Sequence, residues 1–159
     1  MPLKAAILET FRPRAVLLTL SPEAGAAVPA AELIDNMVAV RRLPFRVGRE
    51  SRVVQSDGRW IRRERIAPLH AAHAQPNNDL YLFDACVPLQ ISRAHLAIDV
   101  IAPGQWRAID RGSAHGTLVG ARFIGAEENG GAAPLTDGDL IVLGDPERSP
   151  YRFRFIDLS

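Results

Sequence analysis

The chain has 159 residues, 47 % of them hydrophobic and 23 % charged, with a formal net charge of +1. That length allows one domain with its own apolar core, and no run of about 18 apolar residues is present that would cross a membrane as a helix. Cys86 is the single cysteine, which excludes an intrachain disulfide or a multi-cysteine metal centre and fits a reducing, cytoplasmic setting. Its expected role is that of a small buried apolar side chain.

In chain order, residues 1–14, "MPLKAAILETFRPR", read as an N-terminal extension, too short and interrupted in its apolar stretch for a signal peptide. Residues 15–159 read as one domain. "RAVLLTL" is a strand. Residues 21–37 are Ala-rich and predict a short helix from about Ala30. "LPFRVG" is a strand ending in glycine. Residues 52–77 are polar and basic with no convincing period and read as a long surface insertion, with a helical turn or two around Trp60–Arg65 stopping near Pro68. Then come "DLYLFD", "HLAIDVI", "QWRAID", "DLIVLG" and "YRFRFID". The last alternates Tyr151, Phe153 and Phe155 against Arg152 and Arg154, the period of two that buries one face of a strand. Clusters of Gly, Pro, Asn and Asp separate these runs. Many short strands with frequent turns predict an antiparallel β-sandwich or barrel.

Charge is unevenly spread. Residues 41–65 hold nine arginines against three acidic residues, a net of +6. Such a concentration of guanidinium groups attracts anions. Three loops at strand ends, "VGRES", "ISRAH" and "DRGSAHGTLVG", can meet at one edge of a sandwich. Arg49 supplies a forked guanidinium suited to phosphate oxygens, and Ser92 supplies a hydroxyl. Arg93 adds charge, His115 another donor, and the glycine loops main-chain N–H groups. The set fits a phosphate site without a metal, a cofactor or a catalytic carboxylate.

"FRVGRES", "ISRAHLAI", "DRGSAHGTLVG" and "LTDGDLIVLG" follow the order and character of Gly-Arg, Ser-x-x-His, Gly-Ser-x-Asn-Gly-Thr and a Gly-Asp turn into a strand. In this the chain resembles the forkhead-associated (FHA) domain family over residues 43–156. The resemblance implies an antiparallel sandwich of about eleven strands that binds a threonine-phosphorylated protein or peptide at loops on one end, downstream of a Ser/Thr kinase. It casts Arg49 and Ser92 as phosphate-binding, with Arg93 at a variable position that contacts phosphate or peptide. It casts Ser113, Ala114 and His115 as the peptide-binding loop, and Gly48, His95, Gly116 and Thr117 as structural parts of the site. His115 departs from the family's Asn, whose amide grips the peptide backbone. Imidazole has a different reach, although it tolerates the left-handed turns expected there. Ala114 cannot supply the hydroxyl that some relatives carry. The connector between Arg49 and Ser92 is long for the family, so the insertion at 52–77 lies beside the expected site, where Arg59, Arg62, Arg63 and Arg65 could extend the surface or cover it.

Other chemistries fit less well. Ser92, His95 and Asp99 tempt toward a hydrolase triad, but Asp99 lies four residues, roughly 13 Å, along the strand from His95, and there is no Gly-x-Ser-x-Gly elbow. His70 and His73 lack a third ligand nearby. Nucleic-acid binding would want aromatic residues interleaved with the arginines, and aromatic residues total 6 %. Neither nucleic acid nor a membrane is an expected partner. The remaining alternative is a divergent FHA-fold module that binds its partner independently of phosphate.

Overall fold

The computed structural model describes residues 2–51, 53–57, 59–62 and 78–159. A helix, α1 (Leu3–Phe11), precedes the first strand, β1 (Ala15–Thr19). A second helix, α2 (Pro22–Ala27), leads through a 3₁₀ turn at Ala30–Glu32 to β2 (Met37–Val40) and β3 (Phe45–Arg49). A hairpin, β4 (Val53–Ser56) with β5 (Arg59–Arg62), comes before β6 (Leu80–Leu82). The rest is β7 (Leu96–Ala102), β8 (Gln105–Asp110), β9 (Thr117–Val119), β10 (Arg122–Ile124), β11 (Gly131–Leu135), β12 (Leu140–Leu143) and β13 (Arg152–Asp157).

Eleven of these strands form two sheets, the number that the family resemblance implies. One has six strands in the order β10-β9-β12-β13-β1-β2, and the other five in the order β11-β8-β7-β3-β6. The pairings within both sheets are antiparallel except β3 with β6, which run parallel with Val47 opposite Leu80 and Arg49 opposite Leu82. The β4–β5 hairpin is separate from both sheets.

Alternation places the core between the sheets. Tyr151, Phe153 and Phe155 are buried, while Arg154 is exposed. Trp106 on β8 meets Phe155 on β13 edge to face, with ring centroids 5.1 Å apart, so one aromatic pair ties the two sheets together. Leu96 and Ile98 on β7 face the core, and His95 and Ala97 on the opposite alternation are buried as well. The start of β7 is therefore covered on both sides, where a half-buried strand would expose one.

Two local expectations need correction. The helix predicted from about Ala30 forms earlier, at Pro22–Ala27. Ser21 starts it, its Oγ accepting from Ala24 N at 3.0 Å, with Pro22 at the first helical position; Ala30 enters only the 3₁₀ turn. The helical turn predicted around Trp60–Arg65 is instead strand at Arg59–Arg62. The sequence Asp57-Gly58 between two apolar-containing runs is a hairpin signal, and Asp57 takes the positive φ (50°) that such turns need. Most of the predicted insertion lies outside the described residues, including Arg63, Arg65, His70 and His73. Among the described residues, no helix is long and apolar enough to cross a membrane.

Candidate functional site

The three glycine loops do meet at one end of the sandwich. Arg49, at the end of β3, is partly exposed. Its backbone N–H donates to Ser92 O at 3.0 Å, and its Nε–H to Ile91 O at 2.9 Å. The inner guanidinium nitrogen thus anchors the side chain to the second loop, and among the described residues the two terminal nitrogens remain as donors for a ligand.

Ser92 joins the second loop to the third. Its Oγ accepts from Ala114 N at 3.0 Å. A hydroxyl that accepts from a backbone amide keeps its own proton to donate. Arg93 is exposed, and its backbone carbonyl is held by Asn78 Nδ2 at 2.8 Å. Gly48 explains that close approach: a Cβ there would lie 1.9 Å from Arg93 O and 2.5 Å from Asn78 Nδ2, so only glycine lets β3 pass beneath the loop.

His95 is fully buried and bridges two loops. Ser92 N–H donates to its Nδ1 at 3.0 Å. A backbone amide can only donate, so Nδ1 is the unprotonated nitrogen and Nε2–H donates to Gly116 O at 2.9 Å. Burial pushes this imidazole below its ordinary pKa, against the opposing pull of the Gly116 carbonyl and of Asp110 and Asp84.

Two buried carboxylates set the loops, and sequence reasoning singled out neither. Asp110 accepts from Gly112 N (3.0 Å), Ser113 N (2.8 Å), Ser113 Oγ (2.5 Å) and Thr117 Oγ1 (2.7 Å). The Ser113 Oγ accepts in turn from Gly116 N at 2.9 Å. Ser113 is thus wholly buried and committed within the turn, where the resemblance places it against a peptide. Ala114 is exposed at the tip and His115 partly so. The left-handed conformation expected for His115 falls on its neighbours, Gly112 (φ 87°) and Gly116 (φ 83°). Asp84 does the same work for the second loop. It accepts from Cys86 N (2.9 Å), Gln90 N (2.7 Å), Ile91 N (2.7 Å) and Tyr151 Oη (2.8 Å). Burial raises the Tyr151 pKa, so its hydroxyl stays protonated and can donate to Asp84. Cys86 is only partly buried, with Sγ 3.6 Å from the same hydroxyl.

Asn78 and Arg111 complete the frame, with Arg111 Nη1 2.5 Å from Asn78 Oδ1. Asn78 was missed because nothing in "QPNND" marks one asparagine above the next; the opening residue of "RGS" was visible only as a basic residue in a turn. Among the described residues, no cluster of three or more His, Cys, Asp or Glu side chains is arranged to hold a metal.

Comparison with known proteins follows the same outline. Residues 45–144 match the family model described as FHA domain. The fold resembles the FHA domain of CT664 protein from Chlamydia trachomatis, with a TM-score of 0.51 and 18 % identity over 92 % of this chain and 99 % of that one. It also resembles full-length yeast Pml1p, with a TM-score of 0.56 and 15 % identity over 91 % of this chain and 81 % of that one. A second yeast Pml1 structure, described as a splicing factor integrated into the RES complex, gives 0.54 and 15 % over 99 % and 91 %. No curated protein sequence matches the chain.

Proposed function

The chain belongs to the FHA domain family of protein-interaction modules, and we propose that it is a non-catalytic reader of threonine-phosphorylated partners, downstream of a Ser/Thr kinase in the cytoplasm. The domain is residues 15–159, with 1–14 as an extension. In this reading the terminal nitrogens of Arg49 and the hydroxyl of Ser92 bind the phosphate, and Arg93 adds charge at the rim. Ala114 and His115 face the peptide. Gly48, His95, Ser113, Gly116 and Thr117 hold the loops.

The observation that carries the reading is the Ser92 hydroxyl. It accepts from Ala114 N and so is oriented to donate, on the same loop whose Ile91 carbonyl fixes Arg49. Two charge-assisted hydrogen bonds contribute about 1.5–3 kcal/mol each, a large part of the roughly 8 kcal/mol of a micromolar complex.

Fluorescence anisotropy with a phosphothreonine peptide library and its unphosphorylated twins tests this. Binding should need the phosphate, and Arg49→Ala and Ser92→Ala should each weaken it by about 2–5 kcal/mol. A second reading, phosphate-independent binding, is favoured by His115 and Ala114 at the tip of the third loop. It predicts a partner whose capture survives phosphatase treatment and Arg49→Ala.

A further inference from the structure

Among the described residues, little holds the helix α1 in place. It is nine residues long, and isolated helices under about 12–15 residues are marginal in water. No side chain caps its N-terminus, no acidic residue lies in its first turn and no basic residue in its last. None of its residues is buried. Leu3, Ile7, Leu8 and Phe11 are 75, 46, 72 and 67 % exposed. Leu3, Ile7 and Phe11 recur every four residues and Leu8 lies beside them, so they form one apolar stripe.

The same chain carries an apolar groove of about 380 Å³ on the side of the sandwich where β2 and β6 are the outer strands. Val16, Ile34, Met37, Phe45 and Leu80 line it, and Ile34 is 64 % exposed. Pro13, which follows α1 closely, stands at its margin. The helix is tethered nearby, with Arg41 Nε donating to Phe11 O at 3.1 Å. No residue of α1 lines the groove, and the described residues leave it open.

We propose that α1 of one copy packs into this groove of a second copy, and reciprocally, to form a two-fold symmetric dimer. Both contact surfaces belong to one chain and adjoin at Pro13, the arrangement an exchanged terminal element requires. Burying the stripe removes roughly 400 Å² of apolar surface per helix. Two helices and two groove walls then reach the roughly 1,600 Å² of a standard stable interface. Lys4, one of the two charged residues of α1, meets a groove that carries Glu32 and Asp79, the latter also paired with Arg46, and Glu9 meets Arg41. The interface uses none of Arg49, Ser92 or the third loop, so it leaves phosphopeptide binding free.

Sedimentation equilibrium of the full chain across the micromolar range tests the proposal, with Leu8→Glu on the helix and Ile34→Glu in the groove. Both positions are exposed, and thermal melting confirms that each variant folds. The wild type should dimerise, and each variant should weaken association at least about tenfold. An equimolar mixture of the two should associate better than either alone, because it restores one helix in one intact groove. A wild type that stays monomeric at every concentration overturns the proposal, whether α1 closes on its own groove or meets another partner. So does a dimer that neither substitution disturbs.

Discussion

Asp84 and Asp110 together receive eight hydrogen bonds from the loops around the candidate site, whereas α1 has four large apolar side chains and no buried residue. At the loop end, directional bonds to buried groups fix where each backbone amide and each ligand-facing side chain lies. On the α1 side, apolar surface and a tether fix only a neighbourhood. The difference separates a surface whose shape is set by internal hydrogen bonds from one whose apolar face is left exposed.

Four measurements would break or sharpen that contrast. The largest effect is expected for Asp110→Ala, which strands two backbone amides and two hydroxyls in a buried turn. It should lower unfolding free energy by at least about 3 kcal/mol in urea titration; a loss below about 1 kcal/mol would mean that the turn does not depend on the carboxylate. Gly48→Ala should cost about 1–3 kcal/mol by the same titration, because its Cβ drives into Arg93 O. Since Arg93 is on the loop proposed to hold phosphate, this variant should also weaken phosphopeptide binding if that proposal holds.

The third measurement is pH. His95 has a folded pKa below the ordinary value of 6.5, so the unfolded chain binds the proton first. Its contribution to stability is complete above pH 6.5 and is lost as pH falls toward the depressed folded value. The slope there should be up to about 1.4 kcal/mol per pH unit, beyond that of the carboxylates. A His95→Gln variant that folds and keeps the same slope between pH 6.5 and 5.5 would remove His95 as the cause. The smallest effect is expected for Leu8→Ser on α1. At a concentration low enough to keep the chain monomeric, it should change stability by less than about 0.5 kcal/mol, and a larger loss would mean that α1 is part of the monomer's fold.

The strands were legible because each buries one face and alternates accordingly, as Tyr151 to Phe155 do. Arg49, Ser92, Gly48 and His95 were legible through short motifs whose spacing survives in sequence. Asp84 was not, because three of its partners, Cys86 N, Gln90 N and Ile91 N, are backbone amides and its fourth, Tyr151, lies 67 residues away. Backbone donors leave no trace in side-chain identity. Asp110 was nearer to legible, since all its partners fall within seven residues in "DRGSAHGT"; an aspartate opening a Gly-Ser turn is an Asx-turn signal. The β4–β5 hairpin is masked in the sequence by its arginines, whose charge obscures the Asp-Gly pair between "VVQS" and "RWIR".

The parallel pairing of β3 with β6 has a topological consequence. β3 lies between β7 and β6, and β1 pairs with β13, so both sheets mix strands from before and after the connection that joins Ser51 to Asn78. A chain cut within that connection would yield two fragments, neither of which holds a complete sheet. They would have to interleave to rebuild the sandwich, and the proposed phosphate site would return only with them, because Arg49 belongs to one fragment and Ser92 to the other. The chain can thus serve as a split reporter whose two halves regain ligand binding only on reassociation.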